Sequence, residues 1–198
     1  MNLKIGLKEF MIDNLQNNKF TIIYKSLFDV PSEALTNSIN CVSTMGAGIA
    51  LEFKKRYPDM FNDYKIKCFS GKIKPGDCYV YIDKPTGIYI LGLAVKGDWK
   101  YWSSKEYIKM CLKSLKLTLL ENDIKSVNIP LIGGSNGRRG PNGKIPGMEP
   151  PPEKEELKEF LREELEPFSN KFNISIRLCI PDGAPKKPEL DLTQFFSI

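Results

Sequence analysis

Histidine is absent from this 198-residue chain. Its absence excludes Ser-His-Asp and Cys-His mechanisms, together with every metal site that needs an imidazole ligand. Any proton transfer must therefore be carried out by Asp, Glu, Lys, Tyr, Cys or water. If the chain is an enzyme, a lysine nucleophile is one of the few options left.

The chain also lacks a long apolar run, a secretory leader and paired cysteines. No run reaches the length that spans a bilayer, and charged residues interrupt the first 14 positions. The five cysteines are odd in number and contain no CxxC, which argues against a disulfide framework or a zinc site. We therefore expect a cytoplasmic protein with no membrane partner and no metal, in which most thiols are buried.

Basic residues exceed acidic ones, and the formal net charge is +5. This excess suits a ligand that carries phosphate, but the lysines are scattered and form no block of like charge. A solvated lysine-rich surface explains the same composition.

Apolar periodicity predicts strands that alternate with helices. Strands are predicted at residues 20–24, 34–40, 78–82, 88–94, 126–131 and 174–180. Helices are predicted at residues 49–57, 103–121 and 153–168. This order is typical of an α/β fold with helices on both faces of a mostly parallel or mixed sheet. We expect one domain over residues 1–198, with a core at about 20–180, an N-terminal extension (1–19) and a C-terminal tail (181–198).

Three polar, glycine-containing segments follow predicted strands. They are Asn37–Cys41 leading into Met45–Ala50, Ala94–Trp99, and Pro130–Gly137. Ligands of such sheets bind where strands end, and glycines let backbone N–H groups approach phosphate oxygens. One such loop is a weak signal, because a tight turn explains it equally well, and neither a Walker loop nor GxGxxG is present. Two neighbouring loops could grip a pyrophosphate from both sides.

The run NSINCVSTMGAGIALEFKKRYPDMF resembles the first ligand loop and helix of macrodomains. It is most similar to the branch that contains antitoxins removing ADP-ribose from DNA and the terminal ADP-ribose glycohydrolase. GKIKPGDCYVY and VNIPLIGGSNG are similar to that branch as well, and the resemblance covers roughly residues 20–180. It implies a three-layer α/β/α fold with a mixed six-stranded sheet and a cleft for ADP-ribose over the strand ends.

The resemblance also implies roles for individual residues. Lys96, in VKGDW, lies where the DNA-directed branch has its catalytic lysine, and Asn40 would hydrogen-bond the distal ribose. These two are the predicted catalytic residues. The predicted ligand-binding residues are Ser26, Leu27, Asn37, Cys41, Met45, Gly46, Ala47, Gly48, Ile49, Ala50, Gly133, Gly134, Ser135, Asn136, Gly137 and Arg138.

A lysine can perform the chemistry that this branch implies. When it is partly desolvated in a cleft, its amine can lose a proton and attack the anomeric carbon, forming a Schiff-base-type adduct with the opened ribose. Without the family match, a lysine at this position is simply a solvated surface group.

The chain departs from the family pattern at two places. Ser26 stands where macrodomains commonly carry an aspartate that recognises adenine, and Gly137 stands near the position of a second-loop aspartate. The long Gly/Pro-rich segment 135–152 is of a length that is usually functional or disordered. Its Arg138 and Arg139 could clamp a phosphate or lie in solvent. Three aromatic residues near Lys96 could stack on a base or pack as core: Trp99, Tyr101 and Trp102.

Four functions remain open at this point. An ADP-ribosyl hydrolase acting on a nucleobase, DNA or another acceptor ranks first. A non-catalytic binder or sponge of ADP-ribose-derived nucleotides ranks second, and an ADP-ribose 1″-phosphate phosphatase third. A nucleic-acid-binding module is the alternative from another class. We expect a monomer without a cofactor, with ADP-ribose or a derived nucleotide as partner and ADP-ribosylated DNA as a further candidate.

Overall fold

A computed structural model describes residues 18–134 and 136–181. Its strands are β1 (Phe20–Ile23), β2 (Ala34–Asn40), β3 (Cys78–Ile82), β4 (Tyr89–Lys96), β5 (Ser126–Pro130) and β6 (Ser175–Cys179). They form one sheet in the order β1-β6-β5-β2-β4-β3. The neighbouring pairs are parallel except β3 and β4, which are antiparallel. The prediction of a mixed six-stranded sheet is confirmed.

Helices cover both faces of the sheet. They are α1 (Gly48–Arg56), α2 (Pro58–Phe69), α3 (Lys105–Glu121) and α4 (Lys154–Phe172), and a 3₁₀ turn spans Leu27–Asp29. One core joins α1 and α2 to the sheet through Phe53, Met60 and Tyr64. A second core on the opposite face is built from α3 and α4, with Ile108 and Leu161 among its members. The three-layer α/β/α fold is thus confirmed.

The central strands are apolar because both of their faces are buried. In β4, Ile90 and Ala94 belong to the core under α1 and α2, whereas Leu91 and Leu93 belong to the core under α3 and α4. In β2, Leu35 and Ala34 divide between the two cores in the same way. Since these strands are central, their carboxyl ends, Asn40 and Lys96, are paired neighbours at one edge of the sheet.

Helix α2 was missed by the sequence prediction. The helix predicted at residues 49–57 ends at Arg56, just before Pro58, because the residue that precedes a proline disfavours helical geometry. Pro58 is also the first residue of α2, a position where the missing N–H of proline costs nothing. Pro58 is therefore both the signal that ends α1 and the signal that begins α2.

Two other helix boundaries differ from the prediction. Ser104 caps α3, since its Oγ accepts a hydrogen bond from Tyr107 N at 3.1 Å. Ser103, the first residue of the helix predicted at 103–121, is buried and precedes α3. Helix α4 extends one turn beyond the predicted end at residue 168, and it ends at Asn173, whose φ of 54° is left-handed.

Much of the predicted N-terminal extension and C-terminal tail lies outside the described residues, which omit 1–17 and 182–198. Across the part of the chain that is described, no helix is both long enough and apolar enough to cross a bilayer.

Candidate functional site

The loop from β2 to α1, residues 41–50, is called the first loop below. Met45 is buried and anchors it, while Gly46, Ala47 and Gly48 are exposed. Helix α1 begins at Gly48, so its first N–H groups have no acceptor within the helix. Among the described residues, no backbone oxygen accepts from the N–H groups of residues 46–50. These donors, at the positive end of a helix, are suited to an anion.

Asn40 holds the beginning of the first loop. Its Oδ1 accepts from Val42 N at 3.0 Å and from Thr44 N at 3.1 Å, and its Nδ2 donates to Thr44 O at 2.6 Å. Backbone N–H groups can only donate, so these contacts determine which end of the amide is oxygen. One Nδ2 proton remains for another acceptor. The predicted ribose-binding residue thus spends most of its hydrogen-bonding capacity on its own loop.

The second loop comprises residues 131–143, after β5. It is wound into turns by hydrogen bonds from Gly134 N to Leu131 O at 3.0 Å and from Gly137 N to Gly134 O at 2.7 Å. The two loops meet, because a Cβ added to Gly48 would collide with the Asn136 side chain. β5 and β2 are adjacent in the sheet, so the strand order itself brings the two loops together.

Lys96 ends β4, which pairs with β2 on the side away from β5. Its Nζ donates to Asn136 O at 2.8 Å and to Arg139 O at 2.6 Å, both in the second loop. Burial lowers the pKa of the Lys96 amine to about 8. A neutral amine keeps two N–H groups, which the two carbonyls accept, and its lone pair is then directed elsewhere. Such an amine can act as a nucleophile.

No carboxylate assists Lys96 within the described chain. Asp98, the acid nearest to it in sequence, accepts from Lys100 N at 2.9 Å and so belongs to its own turn. Proton transfer at this position is left to water or to a group on the ligand.

Cys41 lies beside Lys96, with its N–H donated to Gly97 O at 3.0 Å and its Sγ 3.4 Å from Lys96 O. Burial raises the pKa of the Cys41 thiol to about 12, so it stays protonated and is no nucleophile. The expectation that most thiols are buried is confirmed by Cys68, Cys111 and Cys179.

Ser26 and Leu27 begin the 3₁₀ turn after β1. Ser26 Oγ accepts from Phe28 N at 3.4 Å, so the side chain caps this turn. Asn128 of β5 donates to Leu27 O at 3.0 Å and to Val30 O at 2.6 Å. Sequence reasoning missed Asn128, although a fully buried asparagine within the apolar run SVNIPL was a signal that a neighbouring backbone needed a donor.

Asn37 is buried beneath the first loop and is 1% exposed. Its Nδ2 lies 3.9 Å from Met45 Sδ, and its Oδ1 has no partner among the described residues. It therefore supports Met45, while its predicted contact with a ligand stays a prediction.

Arg138 fastens the second loop to the start of α4. Its Nε and Nη2 donate to Pro151 O at 3.0 and 2.8 Å, and its Nη1 pairs with Glu153. The guanidinium also lies 5.9 Å from the Trp102 ring. The predicted phosphate contact would thus compete with an internal anchor. Arg139, in contrast, is exposed and forms no ion pair within the described residues.

The long Gly/Pro-rich segment is folded against residues 100–105. Trp102 N donates to Gly143 O at 2.8 Å, Asn142 N to Lys100 O at 3.0 Å and Lys105 N to Glu149 O at 3.1 Å. Ser135, one of its predicted ligand-binding residues, lies outside the described residues. Trp99 at its border is 46% exposed, so it is not a core residue, whereas Tyr101 and Trp102 are half-buried.

Comparison with known proteins points to one family. The Macro domain family matches residues 36–139. A DNA ADP-ribosyl glycohydrolase of Thermus aquaticus is 35% identical over 114 residues, which are 57% of this chain and 32% of that protein. One of Mycobacterium tuberculosis is 38% identical over 115 residues, which are 56% and 32%. The chain thus spans about a third of the length of these curated relatives.

Solved structures agree. The macrodomain of Mycobacterium tuberculosis DarG superposes with a TM-score of 0.67 at 30% identity, over 82% of this chain and 99% of that one. The similarity therefore extends well beyond the two loops, into the layers that support them.

Proposed function

Because the chain belongs to the macro domain family, we propose that it binds ADP-ribose and hydrolyses the bond that joins ADP-ribose to a nucleobase of DNA. The relatives named DNA ADP-ribosyl glycohydrolase support this proposal. The observation that carries it is Lys96, whose half-buried amine has a lowered pKa and lies beside a loop of free N–H groups.

The first loop supplies the binding half of the site. Its N–H groups at residues 46–50 would hold the pyrophosphate, and the remaining Nδ2 proton of Asn40 would be donated to a hydroxyl oxygen of the distal ribose. Since Asn40 Oδ1 already accepts two backbone N–H groups, Asn40 recognises an acceptor atom.

Lys96 supplies the chemical half. The lone pair of its neutral amine attacks the anomeric carbon, and the bond to the nucleobase breaks as the new C–N bond forms. The sugar ring then opens, giving a Schiff base, and its ring oxygen takes up a proton. Water adds to the imine carbon and expels the amine, which returns Lys96 and releases ADP-ribose. Water protonates the departing base, since no described carboxylate reaches the site.

Borohydride trapping tests the proposal directly. We expect incubation with ADP-ribosylated DNA and sodium borohydride to leave a covalent ADP-ribose adduct on Lys96, detected by peptide mass. Lys96→Ala should give no adduct, and Lys100→Ala, which removes an exposed lysine four residues away, should give the wild-type amount. Hydrolysis that survives in Lys96→Ala would refute the lysine mechanism.

Binding without turnover is the second candidate. It is favoured by the two carbonyls on the Lys96 amine and by the absence of a described carboxylate at that amine. Calorimetric titration with ADP-ribose, followed by recovery of intact ADP-ribosylated DNA after long incubation, would select it. Release of inorganic phosphate from ADP-ribose 1″-phosphate would instead support the phosphatase. The cytoplasmic location and the monomeric state stay predictions.

A further inference from the structure

Tyr64 lies on α2, far in sequence from both loops, and its side chain is fully buried. Its hydroxyl donates to Asn40 O at 2.6 Å and lies 3.3 Å from Asn40 Oδ1. Burial raises the pKa of the Tyr64 phenol well above its ordinary value, so the hydroxyl stays protonated and remains a donor.

This hydroxyl is placed where β2 ends and the first loop begins. It contacts the main-chain oxygen and the side-chain oxygen of the same residue, and so fixes both relative to α2. Asn40 Oδ1 in turn accepts from Val42 N and Thr44 N. Only Met45 separates Thr44 from Gly46, so the position of the glycine part of the loop relative to the sheet depends on this chain of contacts.

We propose that Tyr64 is a positioning residue of the ADP-ribose site. Acting through Asn40, it directs the remaining Nδ2 proton toward the ribose and holds the turn at residues 42–44, from which the phosphate-binding N–H groups extend. The ligand in this inference rests on the proposed function, whereas the link from Tyr64 to the loop does not. The geometry predicts that loss of a single oxygen atom on α2 is transmitted to the other end of the first loop.

The same core offers a matched control. Tyr79 is also buried, and its ring centroid lies 6.0 Å from that of Tyr64. Tyr79 lies on β3, and its hydroxyl donates to Asp63 Oδ2 at 2.7 Å and to Met60 O at 3.2 Å, so both acceptors are on α2 and neither is on the first loop. Tyr79→Phe and Tyr64→Phe therefore remove the same group from the same cluster, and only Tyr64→Phe disconnects Asn40.

Both variants are compared with the wild type in ADP-ribose affinity, by calorimetry, and in amide hydrogen exchange at Val42 and Thr44. We expect Tyr64→Phe to weaken ADP-ribose binding about tenfold and to accelerate exchange at both amides. The two variants should lower the thermal midpoint by similar amounts, because each loses one buried hydroxyl. Tyr79→Phe should leave ADP-ribose affinity and exchange at Val42 and Thr44 unchanged. Wild-type exchange and affinity in Tyr64→Phe, or equal effects of the two variants, would overturn the inference.

These experiments distinguish a failure of the proposed function from a failure of the positioning role of Tyr64. A wild type that does not bind ADP-ribose refutes the proposed function at the first titration. The exchange comparison needs no ligand, so it still decides the positioning role: acceleration confined to Tyr64→Phe supports it, and its absence contradicts it.

Discussion

The two loops over the strand ends both contain glycines, but different contacts hold them. The first loop is held by side chains, Asn40 and Tyr64, and its N–H groups at residues 46–50 have no backbone acceptor among the described residues. The turns of the second loop are closed by its own backbone, through the N–H groups of Gly134, Gly137 and Arg139, and the Arg138 side chain anchors the loop to the start of α4. What it presents to the site is a pair of carbonyls, which bind the Lys96 amine.

This difference divides the work of the site. A loop of free donors is suited to phosphate, whereas a pair of acceptors is suited to an amine. The expectation that two glycine loops grip a pyrophosphate from both sides stays a prediction, and the contacts that are described suggest how the loops share the work. The first loop carries most of the proposed phosphate binding, and the second loop orients the proposed nucleophile.

Removal of the Lys96 amine is expected to have the largest effect on the site, because this amine is the group that the second-loop carbonyls bind. Lys96→Ala should reduce hydrolysis of ADP-ribosylated DNA by ~10³-fold or more, because no other described group replaces the nucleophile. ADP-ribose affinity should fall far less, since the first loop is intact. Product release is measured by chromatography, and Lys100→Ala serves as the control. Hydrolysis within tenfold of the wild type would show that the second loop orients no nucleophile.

The contact between the loops is tested at Gly48. Gly48→Ala places a Cβ against Asn136 on a residue whose φ is +55°, so we expect it to lower the free energy of unfolding by about 1–2 kcal/mol or more. Gly46→Ala adds the same atom where the nearest neighbour is 4.0 Å away, and should change it by less than ~0.5 kcal/mol. Urea denaturation measures both. Equal losses of unfolding free energy in the two variants would contradict the predicted contact between Gly48 and Asn136.

Hydrolysis and ADP-ribose binding should depend differently on pH, because Lys96 is needed for the first and the first-loop N–H groups for the second. Only the neutral Lys96 amine attacks, so hydrolysis should fall about tenfold for each pH unit below its pKa of about 8 and level off above it. The first-loop N–H groups do not titrate, so ADP-ribose affinity should stay nearly constant over the same range. A flat rate profile would exclude Lys96 as the titrating group.

The smallest expected effects distinguish the two arginines of the second loop. Arg138→Ala should lower the free energy of unfolding by about 1 kcal/mol, because the partly exposed guanidinium anchors Pro151 and Glu153. Arg139→Ala should leave it unchanged and weaken binding of ADP-ribosylated DNA severalfold at low salt. Denaturation and a salt titration measure the two effects. An equal stability loss in both variants would contradict the assignment of Arg138 alone as the anchor.

The sequence was most informative where burial imposes a pattern. β2 and β4 are buried on both faces, so their apolar runs were visible, and the predicted strands agree with the observed ones within about two residues. It was least informative at α2, where one proline both ends a helix and begins the next. The first loop was recognised because its glycines follow a strand that carries Asn37 and Asn40, in a family-specific order. The partners of Asn40 could not be predicted from that order.

By itself the sequence determined the α/β alternation and the exclusion of histidine chemistry, because residue type and periodicity carry those properties locally, and the resemblance of its loops to macrodomains made Lys96 a candidate. Only the tertiary structure decided that Arg138 is an anchor, that the Lys96 amine lies on two carbonyls, and that the Tyr64 hydroxyl contacts Asn40. Each of these contacts joins residues at least 13 positions apart. Side chains at such separations meet only after the sheet has brought the strand ends together, so no local pattern records their partners.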